Sequence, residues 1–421
     1  MKSINPSHMP GQTGRGSVQR VREQRTFPSL FRQLVTTALI SISRTCYNGG
    51  MKTRMPLQSL LAQHTMPAAP ELCVPESDRA VRCLACGHRC LVREGRSGVC
   101  RVRFNQGGEL RVPGGYVAGL QADPIEKKPF YHAFPGRDAL SFGMLGCDLH
   151  CAYCQNWISS QVLRDERAVA HPRICSPDHI VNLAVRQGAP VVVSTYNEPL
   201  ITADWAAQIF RLAREKGLVC GFVSNGNATR EVIDYLKPLM SLYKVDLKSF
   251  DDRKYRKLGC KLSTVLDSIA YLKASGFWVE IVTLVVPGFN DSESELSDIA
   301  KFIAGVSRDI PWHVTAFHPD YQMADTPRTP AETLGTAYLT GKEAGLHFVY
   351  AGNLPGRVGN RENTYCPQCG ALLIRRHGFY VLENRMRGSA CPECNAAIPG
   401  VWENTPPRQS VGTGIPQALR P

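Results

Sequence analysis

From residue 139 to residue 352 the chain alternates short apolar, β-branched runs with longer stretches whose apolar positions recur at helical spacing. The short runs predict strands over 139–145, 190–195, 219–224, 242–247, 278–286 and 312–317, with an extra strand at 347–351. Between them, Ser176-Pro177 and Thr329-Pro330 each set a hydroxyl N-cap before a proline suited to the first helical turn, while Asn290-Asp291-Ser292 and Thr202 are weaker caps. Strand and helix in strict alternation imply an α/β fold with a parallel sheet. About six such units make it a partial (β/α)6 TIM-like barrel in preference to a closed eight-fold one. In such barrels chemistry gathers at the carboxyl ends of the strands.

The first predicted strand runs into Gly146-Cys147-Asp148-Leu149-His150-Cys151-Ala152-Tyr153-Cys154, three cysteines spaced CxxxCxxC. A four-iron cube normally takes four thiolates, so three close ones leave one iron open to a substrate or cofactor. Zinc with a distant fourth ligand, or plain reduced core thiols, are the other readings of this spacing. A second group, Cys366-Pro367-Gln368-Cys369 and Cys391-Pro392-Glu393-Cys394, is a pair of CxxC knuckles with a four-thiolate metal signature. Zinc suits it, and a rubredoxin-like iron site is the redox alternative. A third and looser group, Cys83, Cys86, Cys90 and Cys100 around His88, fits either zinc or an auxiliary cluster. Eleven of the 16 cysteines fall into these groups, and Cys46, Cys73, Cys175, Cys220 and Cys260 stand apart as ordinary thiols. Metal-type spacing favours a reducing, cytoplasmic setting over a disulfide framework.

No apolar run approaches the ~18 residues that cross a bilayer, so no membrane association is expected. The net charge of +13 raises the question of nucleic acid, but residues 1–50 carry seven basic side chains against the single acid Glu23. Nearly half of the excess therefore sits in a Gly-, Ser- and Arg-rich leader, and nucleic-acid binding is not expected. That leader, residues 1–55, reads as a disordered basic segment or as an upstream extension of a chain whose translation starts at Met51. A transit peptide fits it poorly, given its early Pro and Gly. Beyond it the chain divides into an N-terminal cysteine module (56–136), the barrel (137–355), a four-cysteine ribbon (360–404) and a flexible tail (405–421). The sequence holds no P-loop, no HExxH and no dinucleotide fingerprint.

With its aromatic Tyr153 before the last cysteine, the CxxxCx(aromatic)C run resembles the defining motif of the radical S-adenosylmethionine (SAM) superfamily. The resemblance implies an enzyme with a barrel of the radical SAM type flanked by an N-terminal cysteine module and a zinc-ribbon-like C-terminal module. It implies Cys147, Cys151 and Cys154 as ligands of a 4Fe-4S cluster, with Tyr153 near the adenine of SAM. In this family the open iron chelates the methionyl group of SAM, and an electron from the cluster releases a 5'-deoxyadenosyl radical that abstracts hydrogen from a substrate. An external one-electron reductant such as flavodoxin or ferredoxin is implied with it.

The strand ends carry the remaining candidates. Tyr196-Asn197-Glu198-Pro199 stands where the family has its Gly-Gly-Glu segment, which keeps Asn197 and Glu198 as SAM contacts although the glycines are replaced. Ser224-Asn225-Gly226 ends the third strand, and alternation puts Lys244, Asp246 and Lys248 on one face of the fourth. Asp246 and Lys248 are either a structural ion pair or contacts to SAM. The run from Val285 to Asp291 resembles the family's adenine-side loop, an ordinary Pro-Gly turn being the alternative. On the sixth strand His318 is the candidate for a SAM contact or proton donor and His313 for a core residue. The segment from Asp123 to Lys128 is expected to be a solvated turn, with a lid or partner surface as alternatives.

Further runs narrow the resemblance: Cys83 to Cys90, Gly98 to Arg103, Cys154-Gln155-Asn156-Trp157, Pro319-Asp320-Tyr321, Ala351-Gly352-Asn353 and the final ribbon. Together they are similar to the radical SAM member of the AmmeMemoRadiSam system, which resembles pyruvate formate-lyase activating enzymes and is associated with AMME-type and Memo-type proteins. The substrate stays open. The competing class is a non-catalytic iron-sulfur or zinc protein acting in electron transfer or nucleic-acid binding.

Overall fold

The structure is a computed structural model that describes residues 57–411 and 417–419. The expected leader lies outside the described residues. The main sheet contains β1 (Gly119–Pro124), β2 (Asp138–Gly143), β3 (Val191–Ser194), β4 (Val219–Ser224), β5 (Leu242–Asp246), β6 (Trp278–Val285), β7 (Trp312–Ala316) and β8 (Val349–Gly352). Strands β2 to β8 are parallel and lie side by side in chain order. β1 joins antiparallel at the β2 edge, and Gln417–Ala418 pairs with β1 in turn. Helices α1 (Pro177–Arg186), α2 (Ala203–Glu215), α3 (Arg230–Leu236), α4 (Asp252–Leu258), α5 (Leu262–Ala274), α6 (Glu293–Val306) and α7 (Ala331–Glu343) connect the parallel strands. The expected α/β partial barrel is the fold observed, with the extra seventh strand present as β8.

Alternation along each strand divides the sheet into two faces. Outward residues such as Leu140, Phe142, Phe222, Tyr243 and Ile281 join Phe210, Ile233, Leu272 and Ile303 of the helices in one continuous core. Each large apolar side chain buried this way stabilises the fold by ~1.5–3 kcal/mol. Inward residues at the amino ends, Ala139, Val191, Val193 and Leu242, pack against Ile125, Phe130 and Ala133, which close the barrel floor.

The floor is built on Glu280. Its carboxylate is fully buried and accepts hydrogen bonds from the backbone of Tyr131 (3.0 Å) and His132 (2.9 Å) and from Trp278 Nε1 (2.9 Å). His313 Nε2 lies 2.7 Å from the same group, which makes it the buried structural histidine expected. The C-terminal ribbon seals this end: Cys366, Cys391, Leu373 and Ile374 share a core with Tyr131, Phe348 and Tyr350. Arg376 donates to the Tyr131 carbonyl at 2.8 Å and lies 4.3 Å from the centre of that ring.

Two local expectations are corrected. The segment from Asp123 to Lys128 is no solvated turn: Asp123, Glu126 and Lys128 are buried, and Asp123 accepts from Lys127 (2.9 Å), Lys128 (2.5 Å) and Tyr196 Oη (2.9 Å). Burial works against that carboxylate, but Lys128 and Lys127 outweigh it and hold its pKa below the ordinary value. The sequence obscured this because β1 has no helix-spaced partner and joins the sheet antiparallel. Thr329 does not cap α7. Its hydroxyl accepts from Phe317 N (2.8 Å) and donates to the Val285 carbonyl (2.6 Å), joining the ends of β6 and β7. Ser176 and Ser292 do cap their helices, through His179 N and Glu295 N. Thr202 precedes α2 without a side-chain cap.

Candidate active site at the carboxyl ends of the strands

The cysteine loop leaves β2 through Gly146, whose φ of +95° favours glycine. A side chain there would also meet Val102, with its Cβ 3.0 Å from Val102 Cγ1. Local hydrogen bonds then set the loop. Gly146 N donates to Ser159 O (3.0 Å), Gln161 Nε2 to Leu149 O (3.1 Å), and Arg164 Nη1 to Cys147 O (2.7 Å). Cys151 is buried, and Cys147 and Cys154 are partly so. The described cysteines form no disulfide.

The sulfurs have few polar partners. Leu149 N donates to Cys147 Sγ at 3.3 Å, and Cys154 Sγ lies 3.1 Å from Ser160 Oγ. Burial pushes the Cys151 thiol up to about 12, with Lys248 pulling it the other way. Burial likewise raises Cys147 well above the usual thiol value, and the charges of Asp148 and Glu198 add to it. Thiols raised in this way stay neutral until a metal centre supplies positive charge and takes their protons. The ring of Tyr153 packs against Phe289 with centroids 5.4 Å apart, and its buried hydroxyl has no hydrogen-bond partner. A donor set of three thiols beside an open polar atom fits a cluster with a ligand at its free iron.

Around this loop stand the polar strand ends. Glu198 is buried and accepts from Ser224 Oγ (2.7 Å), Asn225 N (2.8 Å) and Leu200 N (3.1 Å). Its pKa is raised by burial and by the neighbouring Asp148. Asn225 Nδ2 donates to Asp148 Oδ1 at 2.7 Å, so Cys147, Asp148, Asn225, Ser224 and Glu198 form one linked group. Asp246 pairs with Lys244 and with Lys248 at 3.3 Å, and both Asp246 and Lys248 act electrostatically on Cys151. Two further expected site residues, Asn197 and His318, contact nearby backbone. Asn197 spends its amide on Met144 N (2.9 Å) and its own neighbour's carbonyl, while His318 contacts the Pro319 carbonyl at 3.4 Å.

Some residues of the site carried no flag in the sequence. Asp148 is fully buried and also accepts from Asn227 Nδ2 at 2.9 Å. The signal was there: an acid inside the cysteine spacing, and Asn-Gly-Asn at a strand end. Tyr196 adopts a φ of +72°, rare for an aromatic residue, and its hydroxyl reaches Gln121 at 3.0 Å. Two runs noted separately in the sequence meet here, since Trp157 stacks on Tyr321 with centroids 5.2 Å apart and donates to Asp320 at 3.2 Å.

Residues 143–303, which span the cysteine loop and β3 to β6, match the family model of the radical SAM superfamily. An uncharacterized protein of Methanocaldococcus jannaschii is 40% identical over 306 residues, covering 72% of this chain and 89% of that protein. The chain belongs to the radical SAM superfamily. A radical SAM relative with a named activity is the pyruvate formate-lyase-activating enzyme of Staphylococcus aureus, 24% identical over 46% of this chain and 84% of its own length. Among solved structures, Streptococcus suis SuiB matches at 15% identity with a TM-score of 0.40, covering 54% of this chain and 51% of that one. Members of this superfamily are enzymes, so the non-catalytic alternative gives way.

The C-terminal quartet lies apart from this site. Cys366 and Cys394 sulfurs are 3.6 Å apart, Cys369 and Cys391 sulfurs 3.7 Å, and all four lie within 4.8 Å of one another. A tetrahedral ion with Zn–S of about 2.3 Å places its thiolates about 3.8 Å apart, so the quartet could hold one metal ion. Among the described residues no helix is long and apolar enough to cross a membrane.

Proposed function

We propose that this radical SAM enzyme holds a 4Fe-4S cluster on Cys147, Cys151 and Cys154, and SAM at the iron they leave open, to abstract hydrogen from a substrate at the barrel mouth. The cluster and SAM together supply a strongly oxidising carbon radical when bound. The chain's own residues hold and shield them. Glu198 and Asn225, fixed by Ser224 and Asp148, offer polar groups for the amino-acid end of SAM. Tyr153 and Phe289 provide an apolar shelf for its adenine, and Asp246 with Lys248 sets the charge beside Cys151. The observation that carries the reading is the buried three-thiol loop facing the linked Asp148-Asn225-Glu198 group. The ribbon quartet is assigned zinc on its single-ion spacing.

Radical SAM activating enzymes generally need an external reductant and a substrate; here a flavodoxin or ferredoxin is the proposed donor. The pyruvate formate-lyase-activating relative supports an activase-like version, with a backbone glycine of a partner protein as substrate. The test is spectroscopic. Adding SAM to the anaerobically reconstituted, dithionite-reduced protein is expected to change the EPR signal of the cluster. A signal indifferent to saturating SAM would refute the open-iron assignment.

A further inference from the structure

The N-terminal quartet, Cys83, Cys86, Cys90 and Cys100, takes no part in the reading above, yet it is built directly against the radical SAM loop. Arg164 bridges the two, donating to Cys147 O at 2.7 Å and to Val99 O at 2.6 Å. Gly87 N donates to Asn227 O (2.8 Å), and His88 Nε2 lies 3.3 Å from Asp148 O. Three of the four thiols are buried, and Cys90 is partly so.

Backbone donors surround these sulfurs. Val99 N donates to Cys90 Sγ at 3.5 Å. The backbone N–H of His88 faces Cys86, and those of Val102 and Arg103 face Cys100. Burial disfavours the ionised form of these sulfurs, as it does in the radical SAM loop, so a metal centre would have to supply the positive charge that takes their protons. Beside Cys83 and Cys100 lies the guanidinium of Arg103, 1% exposed. Its Nη1 pairs with Asp204 Oδ2 at 2.5 Å, but Nε and Nη2 have no partner. Two unmet N–H groups on a buried cation are costly unless negative charge faces them. A negatively charged thiolate cluster at Cys83 and Cys100 would supply that charge.

Spacing separates these quartets. Among the described residues only the C-terminal quartet brings three or more such ligands within 4.8 Å of one another, as one ion requires. The N-terminal quartet and the Cys147/Cys151/Cys154 trio are both wider. A four-iron cube seats each thiolate on a different iron and so demands a wider set than a single tetrahedral ion. We propose that Cys83, Cys86, Cys90 and Cys100 hold a second iron-sulfur cluster of the four-iron type, beside the first, with Arg103 as its charge partner.

Acid-labile sulfide counts clusters and ignores zinc. The full chain, reconstituted anaerobically with iron and sulfide, is expected to carry about eight sulfides, two cubes' worth. The Cys147→Ala/Cys151→Ala/Cys154→Ala variant should keep about four, and adding Cys86→Ala and Cys100→Ala should remove them. About four sulfides in the wild type with none in the triple variant would overturn the second cluster while leaving the first, as would about two zinc ions per chain in metal analysis. Where the triple variant fails to fold, the Cys86→Ala/Cys100→Ala variant decides: a sulfide count equal to that of the wild type overturns the second cluster.

Discussion

The two ends of the barrel are both rich in buried polar groups, and they differ in what those groups face. At the amino end the oxygens of Glu280 meet two backbone N–H groups, an indole N–H and His313. At the carboxyl end three thiols are held neutral by burial, and the Tyr153 hydroxyl meets nothing. A buried carboxylate whose donors all come from its own chain stabilises and specifies a fold. Thiols clustered under burial, with Lys248 as the cation acting on Cys151, are the arrangement that the proposed cluster needs. Fold alone would not separate the two ends, since both are lined by inward residues of the same strands.

The comparison breaks most severely at Glu280. Glu280→Ala strands His313 and three N–H donors in the floor and should cost ~3–5 kcal/mol in urea denaturation. SAM cleavage per folded, cluster-loaded molecule should survive; abolished cleavage at little stability cost would reverse the assignment of the two ends. Cys391→Ser should come next. Because the ribbon shares its core with Tyr131 and Tyr350, loss of the proposed zinc should lower the melting temperature by several degrees while the acid-labile sulfide content stays unchanged.

Most of the barrel was legible because its strands are continuous apolar runs with helices between them, and the cysteine loop because its three cysteines are local in sequence. What was not legible depends on distant partners. Glu280 reads as one acid in Trp278-Val279-Glu280-Ile281, and only the arrival of residues 131–132 beneath the barrel explains it. Asp123 and Tyr196 are 73 residues apart and meet through a strand that joins antiparallel. Thr329-Pro330 carries a helix-start signal that tertiary structure overrides, because two strand ends compete for the same hydroxyl. His318 and Asn197 sit at the right strand ends, yet their side chains are engaged by nearby backbone.

Smaller effects sharpen the picture. Thr329→Val should cost ~1–3 kcal/mol, as Phe317 N and Val285 O lose their shared partner. A loss near zero in chemical denaturation would mean that the β6–β7 junction does not depend on it. Ser292→Ala removes only the cap of α6 and should cost ~1 kcal/mol, with no change in cluster content or SAM cleavage.

The most direct test of the whole account is the yield of 5'-deoxyadenosine per folded chain, measured side by side in the dithionite-reduced wild type, Cys151→Ala and Glu280→Gln. The account predicts product from the wild type and from Glu280→Gln, and none from Cys151→Ala. Equal yields from Cys151→Ala and the wild type, or no product from a wild type whose cluster is loaded and reduced, would contradict it.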